Sequence, residues 1–315
     1  MDKLLLTLGQ IDYIFLIAVA LRAATPIVFA ALGGVFSERS GIINIALEGM
    51  MLTSAYVSFR VAVLAHSPWI GLLGGIAAAM LVAALHAVVS IRYRTNQVVS
   101  GTVINIFAAG ITGYLYRAFP TTESADYLPV LSIEGLKDWP LIGPILFDQQ
   151  FLTYVMVAAV FISWVVIFKT RWGLRTRAAG ELPRAADTAG INVNQMRFFN
   201  VLISGALAGL GGAFFTLQTV STFTPNMTSG QGYIGLAAMI FANWNPIAAL
   251  FASLLFTIPQ ALAGQFQLYN VFPREVYGLL STLPYVITIL TLAGFMRRST
   301  PPAAEGIPYP EDART

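Results

Sequence analysis

SERSGIINIALEGMM, residues 37–51, begins as a charged turn and runs into an apolar segment of the kind that lies in a membrane. It nevertheless carries Asn44 and, four residues on, Glu48. On a continuous helix that spacing is one turn, so the amide and the carboxylate share a face. A carboxylate at the centre of a membrane helix costs on the order of 2.5–3.5 kcal/mol on insertion scales. That cost turns the face toward the protein interior rather than toward lipid. Two readings stay open. One is a polar patch on a translocation path or at its inner gate; the other is an interhelical lock hydrogen-bonded to a neighbouring helix.

Composition extends this membrane reading to the whole chain. The 315 residues are 57% hydrophobic and 10% charged, with a mean hydropathy of +0.71. A soluble domain is about 25% charged, so this chain cannot cover a water-facing surface. It is predicted to be all-α, a polytopic transmembrane helical bundle of about 8–10 spans. The net charge of +3 does not point to nucleic acid; in a membrane protein excess cations sit in cytoplasmic loops. Zero cysteines exclude disulfides, thiolate metal sites and a cysteine nucleophile. The N-terminus lacks the flanks and small-residue cleavage site of a signal peptide.

Apolar runs fall at about 12–36, 41–65, 69–91, 97–118, 151–168, 198–219, 232–264 and 276–296. The run at 232–264 is too long for one simple span and contains Trp244-Asn245-Pro246. Pro246 removes a donor, so two pieces meet near Asn243–Pro246, as a short span plus a full one or as a re-entrant element. Gly230, Gly232 and Gly235 suit a turn entering a short half-helix. With the loops at 37–40, 92–96 and 169–197 and the C-terminal tail placed inside, twelve of the eighteen Lys and Arg are cytoplasmic. This puts the N-terminus outside, unless a shallow helix at 1–10 reverses that end. The domain reading is one transmembrane domain over 1–298 and a disordered cytoplasmic tail over 299–315, rich in proline and charge. The outer loop at 119–150, with four prolines and five acids, reads as an ordered cap or docking surface.

No catalytic constellation, HExxH or phosphate-binding GxxxxGK[ST] loop is present, so energy for uphill transport must come from an ion gradient or another subunit. No cofactor or metal is expected in this chain. Intramembrane polar residues carry the functional signal instead. Asn44, Glu48, Asn105 and Asn243 are the candidates for a pathway or gate. Ser100 and Thr112 read as hydroxyls bonding their own backbone, and His86 as a hydrogen-bonded core residue. Arg22 either snorkels or pairs with a carboxylate. The small residues of SGALAGLGGAF, 204–214, read as a tight helix-packing surface.

The cytoplasmic segment GLRTRAAGELPRAADTAGIN, 173–192, reads as a short mildly apolar helix between two spans. Pro183 suits its first turn beside Glu181, Arg184 and Asp187 flank its alanines, and Gly190 stops it.

ELPRAADTAGI resembles the coupling loop of ATP-binding-cassette importer permeases. ERSGIINIALEGMM, NQVVSGTVIN, GELPRAADTAGI and GALAGLGGAF occur in the order seen in nucleoside-type permeases of the ribose, branched-chain amino acid and nucleoside family. The resemblance covers about Ala24 to Phe295 and departs from the pattern at Leu182, where Asn or His is frequent. It implies a permease of the bacterial cytoplasmic membrane for a small-molecule solute, most readily nucleosides, with simple sugars as the alternative. It also implies a second related permease, two ATP-binding-cassette subunits that bind the ATP, and an extracytoplasmic solute-binding protein. Glu181, Pro183, Arg184, Ala185, Ala186 and Gly190 match the coupling element. An ion-coupled secondary transporter is the competing class, although Glu48 is the one well-placed membrane acid.

Overall fold

A computed structural model of the chain describes residues 12–140, 142–269, 276, 278, 279, 282, 286 and 299–310. Asp12 starts helix α1 (Tyr13–Arg39) by accepting hydrogen bonds from the amides of Ile14 and Phe15. Helix α2 (Leu47–Ala65) follows a seven-residue non-helical link. Pro68 occupies the first turn of α3 (Pro68–Ala87), which continues through a π turn to Arg92. Asn96 is the N-cap of α4 (Gln97–Ala118), with its side chain on the amides of Val98 and Val99. This capping role explains its place at the head of an apolar run.

The outer loop folds as a small antiparallel hairpin, β1 (Val130–Ser132) on β2 (Asp148–Gln150), enclosing the short α5 (Gly143–Leu146). Amides of Ala125 and Leu128 bond carbonyls of Ser221 and Leu217 at 2.8 and 2.9 Å, so the loop is an ordered cap on the outer end of the bundle. Arg22 reaches it from α1, donating to the Gln149 side chain at 2.8 Å and to the Asp148 carbonyl at 2.7 Å. Its partners are thus an amide and a backbone oxygen rather than a carboxylate.

Helix α6 (Phe151–Lys169) leads to the paired cytoplasmic helices α7 (Arg171–Glu181) and α8 (Pro183–Thr188). Helix α9 (Val193–Phe214), capped by Asn192, extends through a π turn to Thr219. The expected small-residue packing is present. A Cβ added at Gly205 would lie 2.4 Å from that of Ala83 in α3, and one at Gly212 would lie 2.1 Å from the Met51 carbonyl in α2.

Helix α10 (Gln231–Phe241) and helix α11 (Pro246–Leu268) are separated by a turn in which Asn243 and Trp244 have φ of +51° and +54°. Asn245 caps α11 through the amides of Ile247 and Ala248, and Pro246 fills the first helical position. The break expected at 243–246 is therefore a short helix followed by a full one.

Among the described residues, seven helices are long and apolar enough to cross a membrane. The fold is an all-α polytopic bundle. The run expected over 276–296 lies outside the described residues except at isolated positions, and so does the helix considered at 1–10.

The tail departs from expectation. Residues 299–310 are not a free chain: Ala304 and Tyr309 are buried, and the Ala304 and Gly306 amides bond the carbonyls of Gly180 and Gly41 at 2.8 and 3.0 Å. Its prolines, read from composition as a sign of disorder, restrict the chain and so lower the entropy lost on docking. Residues 311–315 lie outside the described residues.

Candidate translocation and coupling site

The link at 40–46 is an irregular backbone segment enclosed in the bundle. Such backbone is tolerated at membrane depth only where protein satisfies it. Gly41, at φ +99°, turns the chain out of α1. The Ile43 amide then donates to Gln97 Oε1 at 2.7 Å, and the Ile45 carbonyl accepts from Asn105 Nδ2 at 2.9 Å. The Ile42 carbonyl accepts from Ser37 Oγ at 2.7 Å. His86 bridges the Ile43 carbonyl at 3.0 Å and Ser100 Oγ at 3.1 Å. A carbonyl only accepts, so in the neutral ring Nε2 carries the hydrogen and Ser100 donates to Nδ1. Ser100 therefore bonds another helix, whereas Thr112 donates to its own helix, at the Ala108 carbonyl, as expected.

This link corrects the shared helical face read for Asn44 and Glu48. Asn44 precedes the helix and Glu48 lies within it, so the two side chains diverge. Asn44 is fully enclosed and donates from Nδ2 to Ser204 Oγ on α9 at 2.8 Å.

Glu48 takes a different role. Its Oε1 accepts from Thr228 Oγ1 at 2.6 Å and from the Gly230 amide at 2.9 Å, and its Oε2 accepts from the Gly232 amide at 2.7 Å. Gly230 is the N-cap of α10, at φ +80°. The carboxylate therefore sits at the N-terminus of this helix, where free amides and the helix dipole favour negative charge. Bonds to a charged acceptor contribute about 1.5–3 kcal/mol each, enough to offset the cost of holding the carboxylate in the bundle. Gly232 permits the approach: a Cβ there would lie 2.6 Å from the Glu48 backbone.

Asn105 joins the same assembly. Its Oδ1 accepts from the Gly49 amide at 2.7 Å, and its Nδ2 donates to Tyr233 Oη at 2.8 Å as well as to Ile45. Asn105 lies eight residues into α4, about 12 Å along its axis. Glu48 is thus well below the inner helix ends. Helix α10 has 11 residues, about 16 Å, or half of a ~30 Å hydrocarbon core. It is a half-helix that starts at mid-depth on Glu48 and ends at the inner side. Tyr233 stays 45% exposed, which leaves the polar group open along one flank.

Asn243 lies at the opposite end of α10 from this group. Its carbonyl accepts from Arg39 Nη2 at 3.1 Å and its Oδ1 from the Thr300 amide at 3.1 Å. Next to it, Trp244 Nε1 donates to the buried Glu38 at 2.7 Å, and the Glu38 carboxyl faces that of Glu305. Burial raises the Glu305 carboxyl above the usual carboxylate range, with the facing Glu38 carboxyl lowering it in part.

The cytoplasmic element forms where the sequence placed it. Pro183 opens α8, and Gly190 ends the turn at φ +82°. Ala186 packs inward with Ala179, Val193, Met196 and Tyr309, while Leu182, Arg184, Ala185 and Ala189 face out. Glu181 closes α7, and its Oε2 accepts from the Ala303 amide at 3.1 Å. Arg197, read as one more inner-loop cation, is buried and donates to the carbonyls of Ser40, Ile307 and Ala179.

Sequence reading did not single out Gln97, Ser204, Thr228, Tyr233 or Arg197. A polar residue inside an apolar run was the available signal for the first two.

Residues 16–291 match the family model described as branched-chain amino acid transport system / permease component. The chain is 42% identical to the guanosine ABC transporter permease protein NupQ of Bacillus subtilis, across 91% of this chain and 93% of that one. It is 38% identical to the nucleoside ABC transporter permease protein NupC of Lactococcus lactis, across 93% and 96%. It is 34% identical to a putative glucose ABC transporter permease protein, TsgC13, of Haloferax volcanii, across 88% and 90%. No solved structure matches. With the match running through both the half-helix and the cytoplasmic loop, the chain belongs to the branched-chain amino acid transport system permease family.

Proposed function

We propose that this permease, a multi-pass protein of the bacterial cytoplasmic membrane, imports nucleosides as the membrane subunit of an ATP-driven complex. Two ATP-binding-cassette subunits hold the ATP, a second related permease completes the path, and an extracytoplasmic binding protein delivers the solute. The observation that carries the reading is the half-helix α10, anchored at mid-depth by Glu48 and at the inner side by Arg39. A half-helix N-terminus ordinarily attracts an anionic solute group. Here Glu48 occupies it, so the half-exposed Tyr233 beside it, held from beneath by the buried Asn105, suits an uncharged polar solute. Nucleosides fit that description, and two of the relatives named above are nucleoside or guanosine permeases.

Glu48, Asn105 and Asn243 act as pathway or gate residues in this account, and Asn44 as the lock that holds the 40–46 link to α9. The outward face of α8, with Leu182, Ala185 and Ala189, docks in the ATPase subunit. Arg184 shares that outward face, while Glu181, Pro183, Ala186 and Gly190 shape and hold the helix. The test is uptake of labelled purine and pyrimidine nucleosides by cells lacking the gene, with and without complementation and with excess unlabelled ribose. Restored uptake that ignores ribose supports the proposal. Restored uptake abolished by ribose moves the solute to simple sugars, the class that the glucose permease relative favours.

A further inference from the structure

Residues 299–310 visit six segments of the inner face in succession. The Thr300 amide donates to Asn243 Oδ1, at the end of half-helix α10, at 3.1 Å. The Ala303 amide donates to Glu181 Oε2 at 3.1 Å, and the Ala304 amide to the Gly180 carbonyl at 2.8 Å, both at the end of α7. The Glu305 carboxyl faces that of Glu38 at the end of α1. The Gly306 amide donates to the Gly41 carbonyl at 3.0 Å, at the head of the link that carries Asn44 and leads to Glu48. The Ile307 carbonyl accepts from Arg197 Nη1 of α9 at 2.8 Å. Finally, Tyr309 Oη donates to Asp187 Oδ2 of α8 at 3.3 Å, and its ring packs under Ala186.

These bonds do more than cover a surface. Helix α8 has six residues, too few to hold a position on its own. The strap joins α8 to both structures that meet at Glu48, namely α10 and the 40–46 link. Arg197 stiffens the junction, because the same guanidinium bonds Ser40 and Ala179. Pro301 and Pro302 limit the strap's freedom before docking. Gly306, at φ +74°, lets it turn against Ile43, where a Cβ would lie 2.8 Å from the Ile43 side chain.

We propose that residues 299–310 are a positioning element of the transport cycle, which transmits displacement of α8 to half-helix α10 and to the link leading to Glu48. This rests on the docking role given to α8 above. Without the strap, α8 still meets the ATPase, but its movement no longer reaches the mid-depth group.

The experiment uses the complete complex in proteoliposomes: both permeases, the ATPase subunits and the binding protein. Two variants are compared with wild type, a truncation after Thr300 and the full-length Gly306→Val. The readouts are ATPase co-purification, solute-stimulated hydrolysis and solute taken up per ATP. The expected result is ATPase association within about two-fold of wild type while uptake per ATP falls about ten-fold, the size of an ordinary coupling between sites. Should the truncation fail to assemble, Gly306→Val decides. Uptake per ATP unchanged in Gly306→Val overturns the proposal, and so does a failure of both variants to retain the ATPase, which makes the strap an assembly element. Ala185→Trp separates the underlying reading. If it leaves ATPase co-purification intact, α8 is not the docking helix, whatever the strap variants do.

Discussion

Glu48 Oε2 accepts the Gly232 amide at 2.7 Å, across a gap that only a glycine at 232 leaves open. This one bond joins the helix that follows the buried link to the half-helix that ends the inner face. A side chain at either position meets a different penalty, one electrostatic and one steric.

Gly232→Ala tests the steric side. Its Cβ would lie 2.6 Å from the Glu48 backbone, so the half-helix must move. Overpacking of this kind costs about 1–3 kcal/mol. The expected outcome is a lower melting temperature in detergent together with reduced uptake. Gly264→Ala, whose Cβ meets open space, serves as the control.

Asn105→Leu removes an acceptor from Gly49 and a donor from Ile45 and Tyr233. Two buried backbone groups lose their partner, at about 1–3 kcal/mol each. Tyr233→Phe removes one hydroxyl acceptor from a flank that is already exposed, and costs about 1 kcal/mol. Thermal unfolding of the two variants should rank them in that order.

Leu182 is 68% exposed at the tip of the cytoplasmic element and makes no packing contribution to the small cluster beneath α8. Leu182→Asp should leave thermal stability within about 0.5 kcal/mol, as surface changes do. ATPase co-purification should fall about ten-fold, because a charge enters an apolar docking face.

Docking of the tail should depend on pH through Glu305. Its carboxyl is raised above the usual range by burial when docked. A raised acid binds its proton more tightly in the docked state, so docking is strongest below the ordinary carboxylate range. It weakens as pH rises through the docked value. Protease cleavage within 299–310 should therefore accelerate from about pH 5 to about pH 8, and Glu305→Gln should flatten that profile.

Much of this architecture was legible in local chemistry. Pro246 after Asn245 marked the helix break, Gly230 the turn into the half-helix, and Pro183 to Gly190 the cytoplasmic helix, because each rests on backbone rules that neighbours in sequence obey. The 40–46 link was not legible. Ile42, Ile43 and Ile45 read as the start of the apolar helix over 41–65, and the groups that satisfy the backbone of Ile43 and Ile45, Gln97, His86 and Asn105, come from distant helices. Arg197 looked like an inner-loop cation, and the strap looked solvated, for the same reason. Each is defined by the other's carbonyl or guanidinium, which composition cannot register. Glu48 was found as an intramembrane acid, but its partners at the head of α10, Thr228, Gly230 and Gly232, lie some 180 residues away and could not be read from the sequence.

Uptake of a labelled nucleoside by the Glu48→Gln permease, at matched membrane levels, tests the central claim most directly. Glutamine keeps the shape and an oxygen for Thr228 and Gly230, but turns a donor toward the Gly232 amide and removes the charge at the α10 N-terminus. The account predicts ribose-insensitive uptake by wild type and a loss of about ten-fold in the variant, the equivalent of ~1.4 kcal/mol. Uptake by Glu48→Gln at the wild-type rate would contradict it and leave Glu48 as packing alone.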